Sequence, residues 1–254
     1  MSNYTVFFSP TKGTETITKL LANEFGEYTE IDLSKVEMEK NCTFDKEDVC
    51  VFGVPSYGGR VPAVALERMD QFLGNSTRAI LVVVYGNRDY DDTLVELQDF
   101  LADRNFSVVA AVAAIAEHSV MHQFAKGRPD EEDKKELIQY AREIKSELSK
   151  DQEFAELQLP GKHPYKEYHG IPVKPKSTKK CTKCGVCAKV CPVGAIPENA
   201  PNTTDTDRCI SCMRCISVCP KKARKLNSYL VKVAAMKMKK TCIERKRNEL
   251  FMEK

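Results

Sequence analysis

Cys181, Cys184, Cys187 and Cys191 form a C-x2-C-x2-C-x3-C run that ends on Pro192, and Cys209, Cys212, Cys215 and Cys219 repeat it up to Pro220. Every cysteine of the first run recurs 28 residues later, which marks an internal repeat. Three thiolates at this spacing can wrap three irons of one 4Fe-4S cubane, a group that moves electrons singly. The proline after each fourth cysteine donates no backbone hydrogen bond and turns the chain away from the cluster. Zinc also uses C-x2-C pairs, but usually as two separated pairs rather than four close cysteines in each of two runs. Of the remaining cysteines, Cys42, Cys50 and Cys242, the second lies in an apolar strand-like stretch and is expected to fill core.

A second set of chemically suggestive residues lies in three loops of the N-terminal half. Ser9-Pro10-Thr11-Lys12-Gly13-Thr14 follows an apolar run and leads into a helical pattern. Hydroxyls and backbone N–H groups gathered at a helix N-terminus make a phosphate cradle, although Ser, Thr and Gly also simply cap helices. Pro55-Ser56-Tyr57-Gly58-Gly59-Arg60 and Tyr85-Gly86-Asn87-Arg88-Asp89-Tyr90 follow two further apolar runs. Their glycines let backbone approach a flat ring and their tyrosines can stack on it; either loop taken singly reads better as an ordinary turn, and it is the three together at one sheet edge that point to a ligand.

The elements that must position these loops alternate through residues 1–150 in the rhythm of βα units. Strands are expected at Tyr4 to Phe8, Tyr28 to Leu33, Val49 to Pro55, Ala79 to Tyr85 and Ser107 to Ile115. Helices are expected near Thr14 to Asn23, Pro62 to Leu73, Asp92 to Asp103 and Pro129 to Leu148. The pattern suits an α/β doubly wound, five-stranded parallel sheet, which binds ligands beyond the carboxyl ends of its strands. Residues 151–178, rich in Pro and Gly, read as a linker whose Tyr165 and Tyr168 could pack on either neighbour. Residues 179–226 hold the cysteine repeat. Residues 227–254 form a basic tail, with apolar and basic residues alternating at helical spacing over Val231 to Arg247.

Residues 1–150 carry 17 Lys and Arg against 26 Asp and Glu, a net of −9, and residues 151–254 carry 22 against 10, a net of +12. A cluster on four thiolates carries roughly −2, so two of them would bring the second half to about +8. Much of the lysine excess is thereby accounted for without nucleic acid, for which neither a recognition helix nor an aromatic RNA-binding motif is evident. No apolar run reaches the length of a membrane span, and Met1 to Pro10 contains no leader pattern. Thiols kept free for metal fit a reducing compartment, and a soluble cytoplasmic protein is expected.

Residues 179–226 resemble a bacterial-type two-cluster 4Fe-4S ferredoxin domain, a small α+β fold, at all eight ligand positions. In two-cluster ferredoxins the fourth cysteine of each run serves the other cluster. The resemblance therefore implies one cluster on Cys181, Cys184, Cys187 and Cys219 and another on Cys209, Cys212, Cys215 and Cys191. The N-terminal loops resemble those with which flavodoxin holds FMN. That resemblance places the phosphate at Ser9, Thr11, Lys12, Gly13 and Thr14. The ring falls among Pro55, Ser56, Tyr57, Gly58, Gly59, Tyr85, Gly86, Asn87 and Tyr90. Lys12 and Pro10 depart from the usual loop.

The segments SPTKGT, PSYGGRVP, YGNRDYDD, AEHS and GRPD, with both cysteine runs, are similar to the flavodoxin-ferredoxin fusion proteins common in anaerobic bacteria and archaea. The resemblance implies an electron-transfer protein exchanging electrons between FMN, two 4Fe-4S clusters and redox partners of acidic surface. Lys183, Lys189, Lys221 and Lys222 would steer such partners. The alternative is an oxidoreductase acting on a small molecule at the flavin, with His118, Tyr57 and Tyr90 as the available proton donors. No catalytic residue is singled out. His118 is equally readable as a structural hydrogen-bonding residue.

Overall fold

The computed structural model describes residues 2–38, 41–150 and 154–253. Five apolar runs become parallel strands, β1 (Asn3–Phe7), β2 (Thr29–Asp32), β4 (Val49–Pro55), β6 (Thr77–Tyr85) and β7 (Phe106–Ile115). Their order in the sheet is β2-β1-β4-β6-β7, the doubly wound order of flavodoxin-like folds. Strands β4, β6 and β7 hold β-branched residues and alanines buried on both faces, as a sheet covered on both sides requires. Helices α1 (Gly13–Ala22) and α4 (Glu131–Leu148) cover one face, packing Ile17, Leu21, Leu137 and Ala141 on Val82 and Val112. Helices α2 (Ala63–Met69) and α3 (Thr93–Ala102) cover the other with Met69, Leu94 and Leu97. Asp130 caps α4 by accepting from the N–H groups of Glu132 and Asp133.

Two expectations change. The helix expected from Pro62 to Leu73 stops at Met69, because Phe72–Leu73 forms β5 and pairs with β3 (Cys42–Thr43). The tail is helical only over α7 (Ser228–Cys242). Glu249–Met252 then forms β10, which pairs antiparallel with β7 and adds a sixth strand to the sheet. Cys50 is fully buried in the core.

The linker is a fixed strap on the α/β domain. Lys162 and Lys166 donate backbone N–H groups to the carboxylate of Asp92 at 3.0 and 2.6 Å. Arg60 reaches the carbonyl of Lys166 at 2.7 Å and stacks on the ring of Tyr165. Gly58, at φ +65°, leaves room for the ring of Tyr168, whose nearest atom would lie 2.6 Å from a Cβ there.

The cysteine region is tied by β8 (Lys176–Ser177) pairing with β9 (Arg224–Lys225), and each run contributes one helical turn, α5 (Val186–Lys189) and α6 (Arg214–Ser217). The repeat extends to the backbone. Positive φ occurs at Lys183 and Ser211, at Gly185 and Met213, and at Gly194 and Lys222, each pair 28 residues apart. Among the described residues, no helix is long and apolar enough to cross a membrane.

Candidate redox centres

The folded cysteine repeat encloses two small cavities. Cys181, Cys184, Cys187 and Cys219 line one, together with Lys183, Pro220 and Arg224. Cys191, Cys209, Cys212 and Cys215 line the other, together with Val193, Ile196, Ile210 and Arg214. The sulfurs stand around hollows rather than converging on a point, and among the described residues no three metal-binding side chains are placed to hold a single ion. Backbone N–H groups at matching positions donate to the crossing sulfurs, Ala195 to Cys191 Sγ and Ala223 to Cys219 Sγ, both at 3.2 Å. Burial raises the Cys219 thiol, yet N–H groups of Ala223, Arg224 and Lys221 outweigh it and leave the thiol below its ordinary range. Burial pushes the Cys212 and Cys215 thiols up to about 12.

The second cavity is the inner one. Its lining residues Val193 and Ile210 pack against the core of the α/β domain. Arg68 donates to the carbonyl of Pro192 at 2.7 Å, and Arg214 to that of Ser34 at 3.3 Å. Cys184, by contrast, is exposed beside exposed Lys183.

Beyond the carboxyl ends of β1, β4, β6 and β7 lies a larger cavity of about 320 Å³. Ser9, Thr11, Gly13 and Thr14 enter it from the first loop, Pro55, Ser56, Tyr57 and Gly58 from the second, and Tyr85 and Gly86 from the third. Ser9 Oγ accepts from Glu15 N at 2.9 Å, while its own N–H reaches Ser34 Oγ at 2.6 Å. The backbone N–H groups of Thr11, Gly13 and Thr14 make no hydrogen bond among the described residues, so three donors stand open at the start of α1. Burial raises the Tyr57 hydroxyl well above its ordinary range, and Cys212 is among the groups acting on it.

Four expected residues lie elsewhere. Lys12 is exposed and adopts a left-handed conformation (φ 71°) as the N-cap of α1, off the cavity wall. Gly59 faces Asp91, whose carboxylate would clash with a Cβ there. Asn87 spends its amide on the tail, donating to the carbonyls of Cys242 and Glu244 at 2.8 and 2.7 Å. Tyr90 packs edge-on against Tyr85 and donates to Glu249 at 3.3 Å. Both Asn87 and Tyr90 hold the returning tail, which the loop motif alone could not reveal.

Other cavity residues escaped the motifs. Ile171, Pro172 and Val173 of the strap, Ala234 and Met238 of α7, and Ser211 of the second cysteine run complete the wall. Ser211 is buried, donates to the carbonyls of Ile171 and Val173, and precedes Cys212 of the inner sulfur cavity. His118 also lines the cavity and lies against Gly86, where a Cβ would meet its ring at 2.7 Å. Its Nδ1 accepts from the N–H groups of Val120 and Met121 at 3.1 and 3.3 Å, which leaves the proton on Nε2. Burial lowers its pKa to about 4, so the ring is neutral across the physiological range.

Comparison with known proteins agrees with the cysteine geometry. A 4Fe-4S dicluster domain matches residues 174–220. No curated protein matches the chain. Among solved structures, oxidised flavodoxin 1 from Bacillus cereus is 16% identical with a TM-score of 0.41, covering 59% of this chain and 100% of its own. An azoreductase from Bacillus anthracis str. Sterne is 10% identical with a TM-score of 0.35, covering 58% and 98%. An NAD(P)H:quinone oxidoreductase from Methanothermobacter marburgensis is 13% identical with a TM-score of 0.33, covering 61% and 99%. The fold class follows from the strand order itself. The chain joins a flavodoxin-like α/β domain to an iron–sulfur domain of the dicluster type, and is a redox protein.

Proposed function

We propose that the chain is an electron-transfer protein that binds FMN in the 320 Å³ cavity and a 4Fe-4S cluster in each sulfur cavity. Ser211 carries the reading: it lines the large cavity, and the next residue, Cys212, lines the inner sulfur cavity. When bound, the flavin exchanges electrons in pairs and the clusters exchange them singly. The open N–H groups of Thr11, Gly13 and Thr14 would hold the phosphate, with Ser9 bracing the turn. Tyr57, Ser56 and Gly58 would flank the ring, and the Nε2–H of neutral His118 is a donor on the wall. Ile171 to Val173, Ala234 and Met238 add apolar surface that excludes water. At the far end, exposed Lys183, Lys189, Lys221 and Lys222 form no ion pair among the described residues, and would draw an acidic redox protein to the exposed Cys184.

Anaerobic stopped-flow with reduced protein separates this reading from direct reduction of a small molecule. A carrier reduces acidic redox proteins at a rate that falls with salt and shows no saturable reaction with small acceptors. Saturable turnover of a small acceptor, with salt-independent transfer to proteins, would support the reductase instead.

A further inference from the structure

Arg224, on β9, is 2% exposed and is a charged residue among the largest fully buried side chains. Its Nε donates to Cys187 Sγ at 3.3 Å, one terminal nitrogen to Thr204 Oγ1 at 2.6 Å, and the other to the carbonyls of Pro201 and Thr203 at 2.6 Å. None of these partners is a carboxylate. A buried guanidinium without a counter-ion is strongly unfavourable, and the one group beside it that a bound cluster would make anionic is the sulfur of Cys187.

The repeat supplies an internal control. An offset of 28 residues carries Ile196 onto Arg224, and Ile196 lines the inner cavity as Arg224 lines the outer. The neighbouring Ala195 and Ala223 are identical and make the same N–H to sulfur bond. The cation of the inner cavity, Arg214, is half-buried and directed to the carbonyl of Ser34. The outer cavity's other cations, Lys183 and Lys221, are exposed.

We propose that Arg224 sets the order of reduction, making the cluster held by Cys181, Cys184, Cys187 and Cys219 the more readily reduced of the two. The inference rests on the cluster reading above. A cluster gains one negative charge on reduction, and a buried cation hydrogen-bonded to its ligand sulfur favours the more negative state. With both clusters bound, an electron reaching the inner one would then pass outward: the inner would be oxidised by one electron and the outer reduced by one, with no proton or bond changing place. Arg224 thereby gives the relay its direction, from the flavin cavity to the exposed end.

The test is an anaerobic redox titration of the loaded full-length chain, followed by EPR and by the paramagnetically shifted cysteine β-protons that distinguish the clusters. In the wild type the outer cluster should be reduced first; inner first overturns the proposal. Arg224→Gln should shift the partition of the electron at least tenfold toward the inner cluster, which is about 59 mV for one electron. Arg224→Lys should shift it less than threefold. A partition unchanged in R224Q, or shifted tenfold in R224K, contradicts the proposal. If R224Q does not load the outer cavity, R224K decides, and loss of the outer cluster in both variants would make Arg224 an assembly residue and overturn the tuning role. Failure of the underlying reading looks different: the wild type itself would contain no acid-labile sulfide.

Discussion

The two cysteine runs share spacing, left-handed turns and N–H to sulfur bonds, yet they lie in different surroundings. The inner cavity is walled by Val193, Ile196 and Ile210 and leans on the α/β core; the outer has a buried arginine, exposed lysines and an exposed cysteine. The repeat thus preserves what ligation needs and diverges where potential and docking are set. One sulfur cavity adjoins the cavity beyond the sheet through Ser211 and Cys212, and the other ends on exposed Cys184.

The largest effect should come from breaking the crossed ligation. Cys191→Ser should cost the inner cluster, although Cys191 belongs to the first run, and Cys219→Ser should cost the outer one. Iron analysis with the assigned cysteine resonances should show about four irons remaining in each case, in opposite cavities. Loss of the cluster nucleated by the same run would break the comparison.

A smaller effect concerns how the C-terminal tail is held to the sheet. Asn248 Oδ1 accepts from the buried N–H of Ile115 at 3.0 Å, and its amide donates to Glu136 at 2.6 Å. Asn248→Ala strands the Ile115 N–H and should destabilise the chain by about 1–3 kcal/mol, read as earlier thermal unfolding and faster hydrogen exchange at β10. Unchanged exchange at β10 would deny the tail its anchoring role.

The cradle proposed for the flavin phosphate should respond at one residue and not at its neighbour. Ser9→Ala loosens the turn before α1 and should weaken FMN binding roughly tenfold, about 1.4 kcal/mol, by fluorescence titration. Lys12→Ala, off the cavity wall, should change it less than twofold.

The subtlest effect is at His118. Its folded pKa of about 4 lies below the ordinary 6.5, so between those values the unfolded chain binds a proton that the folded chain does not. Stability should therefore rise with pH through that window and be lost as pH falls through it. Thermal scans of His118→Asn should show a shallower pH slope than wild type.

The parallel strands and the dicluster domain could be read from the sequence because local pattern carries them: alternating apolar runs in one case, cysteines a few residues apart in the other. Asn87 and Tyr90 turn to the tail instead, which a Gly-Asn turn does not announce: it looks the same whether its amide meets a ring or the carbonyls of Cys242 and Glu244, 155 and 157 residues away. Glu249–Met252 is too short to announce a strand, and its edge position depends on β7 being open to receive it. Ser211 carries no motif of its own. Its place in the cavity follows from the strap and the core contacts of Val193 and Ile210, which are tertiary facts. Arg224 breaks the repeat at an otherwise matched position, which is a signal the sequence did contain.

Cofactor analysis of the chain purified anaerobically tests the central claim most directly. Two 4Fe-4S clusters and one flavin predict about eight irons, eight acid-labile sulfides and one FMN per chain. Zinc without sulfide, or clusters without flavin, would contradict the account.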